Sequence, residues 1–143
     1  MKFRKKARGW GSKKCTREEF ERLCALHPYY AEHKDDANNW LKTSVLEAWL
    51  MFQELPAAEF SGRLLDVGSM FGLFAPAYRD LWGYKEVCLI DYGENETDQP
   101  DIERIGERGT RYSFPSVRMN IEKDIFPFHD EYFETVVWKE TIE

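Results

Sequence analysis

A chain of 143 residues is the size of one domain, and a composition of 43% hydrophobic, 32% charged and 15% aromatic residues excludes wholesale disorder. No apolar run reaches the roughly 18 to 20 residues that span a bilayer, and the N-terminus lacks the apolar core of a secretory signal, so the expected location is cytoplasmic. Cys15, Cys24 and Cys88 form no C-x-x-C pair and predict reduced thiols rather than a disulfide framework or a zinc site.

Charge divides the chain. The first fourteen residues hold seven of the 20 basic side chains, Lys2, Arg4, Lys5, Lys6, Arg8, Lys13 and Lys14, and no acid, whereas all 26 acids follow. Residues 1–15 are expected to be a flexible basic tail. Such an arm attracts phosphate-rich partners by releasing their counterions, but the acidic body does not favour nucleic acid as the ligand of the folded part.

Residues 16–60 read as a helical segment. Thr16 is an N-cap hydroxyl followed by Glu18 and Glu19, and Phe20, Leu23 and Leu26 repeat at helical spacing until Pro28 stops the pattern near His27. A second helix is expected after Asp35 and Asp36, with Trp40, Leu41, Val45, Leu46, Trp49, Leu50 and Phe52 as a wide apolar stripe, closed by Pro56. Packing alone explains those tryptophans; the alternative is a lid over a ligand.

From Arg63 the period changes. Residues 63–67 form a short apolar run ending in Gly68, residues 73–82 a helix with Pro76 in its first turn, and residues 86–91 a second buried strand, which together make a βαβ unit with parallel strands. Residues 95–109 are polar and helix-compatible, with Ile102 and Ile105 as the inward positions. A third strand is expected at residues 117–121 and a fourth at 135–138. The fold class is therefore α/β, a Rossmann-like parallel sheet with N-terminal helices.

The chemistry concentrates where the first strand ends. In Asp66-Val67-Gly68-Ser69-Met70-Phe71-Gly72, the glycines allow backbone to approach a ligand closely, and the turn leads into a helix whose first N–H groups are free. Nineteen residues after Gly72, Asp91 ends the second strand, where a carboxylate can accept both ribose hydroxyls of an adenosine. The spacing Gly68-x-x-x-Gly72 departs from the G-x-G-x-x-G of dinucleotide binders.

The turn resembles instead the first motif of class I S-adenosylmethionine-dependent methyltransferases (type 11/12-like), which typically reads hh-D-x-G-x-G-x-G. Asp66, Gly68 and Gly72 match, and Met70 replaces the middle glycine. Cys88-Leu89-Ile90-Asp91-Tyr92, then Asn120-Ile121, then Asp124-Ile125-Phe126-Pro127-Phe128 and Phe133-Glu134-Thr135-Val136-Val137 look like the blocks that follow in that family. The resemblance implies S-adenosyl-L-methionine as cofactor. The backbone near Gly68 and the side chain of Asp66 would lie by its methionyl end, Asp91 on its ribose, and Tyr92, Asn120 and Ile121 around its adenine, with Ser69 and Gly72 also among the cofactor-binding residues. It also implies methyl transfer, by in-line attack on the sulfonium methyl, to a small-molecule, lipid or sugar acceptor, most simply at oxygen. Two alternatives stand beside it: an RNA methyltransferase recruited through residues 2–14, and a non-catalytic cofactor-binding module that engages a partner.

The N/D-P-P-Y type signature is missing, and no catalytic base is assigned: Glu140 and Glu143 are candidates by position only, while His27, His33 and His129 read as surface or loop residues. The family's sheet runs 3-2-1-4-5-7-6, and strands one to four, in the order 3-2-1-4, fall before Glu143. Residues 61–143 are thus expected to be the N-terminal half of a C-terminally truncated methyltransferase domain, with strand four as an exposed edge.

Overall fold

The computed structural model describes residues 15–36, 40–54, 62–92 and 101–138. The basic residues 2–14, Pro56, the first part of the polar stretch at 95–100, and Glu140 and Glu143 lie outside the described residues.

Helix α1 (Arg17–Ala25) begins in a capping box. The Thr16 hydroxyl accepts the Glu19 N–H at 3.1 Å, and the Thr16 N–H donates to the Glu19 carboxylate at 2.8 Å, so two otherwise orphaned donors are satisfied. Pro28 does more than the expected stop. It opens α2 (Pro28–His33) from the first turn, where its missing N–H costs nothing, and His27 caps that helix through Nδ1, which accepts from the Tyr29 N–H at 3.1 Å. Helix α3 (Trp40–Glu54) turns Leu41, Ser44, Val45, Ala48 and Phe52 inward. The stripe read from the sequence was wider than this contact: Trp40 is 54% and Leu50 53% exposed, because a helix against a single layer buries only one arc. Phe52 anchors the layer, its ring 4.9 Å from Phe20, 4.7 Å from Tyr78 and 4.4 Å from Trp82.

Strand β1 (Arg63–Val67) leads through a turn to α4 (Ala75–Asp80), and β2 (Glu86–Tyr92) follows. Strands β3 (Ile102–Ile105) and β4 (Arg111–Phe114) form an antiparallel hairpin, with Ile102 opposite Phe114. Strands β5 (Ser116–Met119) and β6 (Thr135–Trp138) complete a four-stranded parallel sheet in the order β5-β2-β1-β6.

Two expectations change here. Residues 102–109 are not helical: period-two alternation puts Ile102 and Arg104 on one face of the hairpin and leaves Ile105 46% exposed, so a charged residue takes the inward position given to Ile105. And because this hairpin intervenes, the order counted along the chain is 5-2-1-6 rather than 3-2-1-4, with β5 and β6 in the segments expected as third and fourth strands.

The sheet has two unlike faces. Leu64, Val87, Leu89 and Val137 join the core built by α1, α2, α3, α4 and the hairpin. Leu65, Val67, Ile90 and Met119 form a smaller cluster on the other face, against Ile121, Phe128 and Phe133 of the segment between β5 and β6.

Candidate functional site

The glycine turn folds back onto the end of β2. At Gly68 the backbone turns left-handed (φ 76°), and the N–H groups of Gly68 and Ser69 both reach the Ile90 carbonyl, at 2.7 and 3.1 Å. The buried Ser69 hydroxyl then donates to Asp91 Oδ2 at 2.6 Å, while the Met70 N–H donates to Asp91 Oδ1 at 3.1 Å. Asp91 therefore anchors the turn. Each of its oxygens keeps a second lone pair for an outside donor.

Met70, Phe71 and Gly72 are successively left-handed, at φ 52°, 55° and 72°. For the two side-chain-bearing residues that conformation costs about 1–2 kcal/mol each, so the surroundings must hold it. Met70 adopts a backbone shape that glycine takes freely. Gly72 is constrained more tightly: a Cβ there would meet Leu89 Cδ1 at 3.0 Å and Ile102 Cγ2 at 3.5 Å.

Asp66 lies lower, buried within β1 between Leu89 of β2 and Val137 of β6. Burial first and Asp66 second push the phenol of Tyr78 well above its ordinary range. Asn120 follows β5, and its side chain organises a turn: Oδ1 accepts from the Glu122 N–H at 3.0 Å, while the Asn120 N–H donates to Asp124 at 2.7 Å. Ile121 packs half-buried against the smaller cluster. Tyr92 ends β2 opposite Met119 of β5, and the place of its ring lies outside the described part of the chain. Gly68, Ser69, Asp91 and Asn120 thus gather at the carboxyl ends of β1, β2 and β5, where open α/β sheets form their ligand crevice. Asp66 and Ile121 are packed into the two faces beneath.

Arg118 and Arg104 at this end have no counterpart among the sequence-based candidates, and His27, expected as a surface or loop residue, is buried because it caps α2 and packs against the turn. Arg118 of β5 stands beside Asp91 in register, and its Nε is buried without a hydrogen-bond partner. His27, at the corner between α1 and α2, sits with Nε2 3.2 Å from the Phe71 carbonyl. Because Nδ1 accepts from Tyr29, Nε2 carries the proton and donates; burial, reinforced by Arg104, lowers the pKa, so the ring is neutral. Arg104 of β3, only 5% exposed, donates through Nη1 to the Gly72 carbonyl. Burial draws its pKa down to about 10, which still leaves it charged at neutral pH. His27 and Arg104 together grip consecutive carbonyls of the left-handed run. His27 could be suspected from sequence only as the residue before a helix-starting proline.

A cavity of about 540 Å³ opens elsewhere, among residues 85–88, 112–115, 127–129 and Tyr132, and includes none of the residues gathered at the glycine turn. Among the described residues no helix is long and apolar enough to cross a membrane, and no three His, Cys, Asp or Glu side chains converge as for a metal ion. No family model, curated protein or solved structure matches the chain.

Proposed function

We propose that this chain binds S-adenosyl-L-methionine at the carboxyl ends of β1, β2 and β5, and that it serves methyl transfer to a small-molecule, lipid or sugar acceptor, most simply at oxygen. The observation that carries this reading is the junction of the glycine turn with Asp91 through Ser69 and Met70. On this reading, β5-β2-β1-β6 corresponds to strands 3-2-1-4 of a class I methyltransferase, and the β3–β4 hairpin stands where the sequence suggested a helix.

The residues present suit such a ligand. Asp91 has lone pairs left for ribose hydroxyls, the bare Cα of Gly68 permits close approach, and the orphaned Arg118 Nε beside Asp91 is a donor in want of an acceptor. When bound, the cofactor supplies a methyl group on a positively charged sulfur. The chain's part is to hold and align it, which is the larger share of catalysis for an in-line transfer between two bound molecules. No described side chain is given the role of base.

Titration calorimetry with S-adenosylmethionine tests this directly. Replacing Asp91→Ala removes charge-assisted hydrogen bonds of about 1.5–3 kcal/mol, so affinity should fall about 10- to 100-fold. Asp91→Asn, which keeps one acceptor, should lose less. Absence of binding by the unaltered chain, or equal affinity in Asp91→Ala, overturns the proposal.

A further inference from the structure

We infer that Arg104 is an anion-binding group of the glycine turn, set to receive the carboxylate at the amino-acid end of the bound ligand. This rests on the cofactor reading above. It starts from an imbalance: Arg104 is 5% exposed, Nη1 is spent on the Gly72 carbonyl, and Nε and Nη2 are buried with no hydrogen-bond partner. A guanidinium carries five donors in a rigid fork, and taking one out of water is expensive unless an anion meets it.

No carboxylate of the described chain does so. The buried thiol of Cys24 and the imidazole of His27 lie near Arg104, and that imidazole is neutral because its Nδ1 accepts from Tyr29 while Nε2 donates to Phe71. Among the described residues, the one hydrogen-bond partner of this positive charge is the Gly72 carbonyl. A ligand carboxylate is the matching shape, since its two oxygens meet a guanidinium edge in parallel. The location suits one end of an elongated ligand, because Arg104 touches Gly72 while Asp91 holds Ser69 and Met70 of the same turn. The orphan nitrogens are shielded in this conformation. Loading therefore requires Arg104 to release the Gly72 carbonyl or the His27 corner to part from the turn.

The test compares S-adenosylmethionine with 5′-methylthioadenosine, which keeps the adenosine and the sulfur but lacks the amino-acid end, on the full chain and on Arg104→Met. Removing an uncompensated buried charge offsets the loss of the hydrogen bond to Gly72, so the variant is expected to fold with a melting temperature near that of the unaltered chain. Should it not fold, Arg104→Lys keeps the charge without the fork and takes its place. On Arg104→Met, S-adenosylmethionine should lose about 10- to 100-fold more affinity than 5′-methylthioadenosine, whose own smaller loss reports the freed Gly72 carbonyl. Equal weakening of both ligands, or of neither, overturns the inference.

A third arm separates this inference from the cofactor reading. If the unaltered chain binds neither nucleoside but is stabilised by millimolar L-methionine, and Arg104→Met is not, the carboxylate site stands and the cofactor reading falls. If none of the three ligands depends on Arg104, the carboxylate site falls.

Discussion

The two faces of the sheet are made by the same strands and differ in what covers them. On one, Leu64, Val87, Leu89 and Val137 share a core with four helices and a hairpin; on the other, Leu65, Val67, Ile90 and Met119 meet one irregular segment. At the β6 end the difference is plain, since Val137 is buried while its neighbours Val136 and Trp138 are 56% and 50% exposed. The glycine turn borders both faces, but its supports are not shared evenly. His27 and Arg104 reach it from elements of the helix-covered side, so the face with the larger core also fixes the backbone of the candidate site.

Neighbouring residues of one strand allow this contrast to be broken cleanly. Leu64→Ala and Leu65→Ala remove the same atoms from opposite faces, and the less collapsible, helix-covered side should lose about 4 kcal/mol against about 2–3 kcal/mol on the other. Equal losses in urea unfolding would show the second face to be packed as firmly as the first. On β6, Val137→Thr buries a hydroxyl and should cost about 1–3 kcal/mol, while Val136→Thr should stay within about 0.5 kcal/mol. A third prediction concerns protons. Folding lowers the pKa of His27 below its ordinary 6.5, so the unfolded chain binds the proton more readily. Stability should be full above about pH 6.5 and should decline as pH falls through the window beneath it. His27→Gln should flatten that decline in urea midpoints compared at about pH 7.5 and 5.5; an unchanged slope would mean that His27 does not couple folding to protonation.

What could be read from sequence follows from how local each signal is. Thr16 with Glu19, the apolar runs that became β1 and β2, and Pro76 in the first turn of α4 are determined within a few residues, and they stand where expected. That the glycine turn and Asp91 end neighbouring parallel strands followed from the βαβ unit, whereas the hydrogen bonds that join them through Ser69 and Met70 did not. The hairpin was illegible because its inward positions alternate an isoleucine with an arginine, which defeats any apolar periodicity. Arg104 and His27 act on carbonyls 32 and 44 residues away in sequence, and no spacing rule connects such positions. The width of the α3 stripe failed for another reason: periodicity gives the direction of the apolar face but not the arc that a neighbouring layer covers.

The position of β1 at the middle of the sheet has a consequence during synthesis. Its partner on one side, β2, follows after a short helix, but on the other side the Arg63 N–H waits for Glu134, 71 residues later. At roughly 5–20 residues per second, that delay on the ribosome is about 4–14 s. Throughout it, one flank of the nascent β1 offers unpaired amides to any strand that passes, a hazard set by chain order alone.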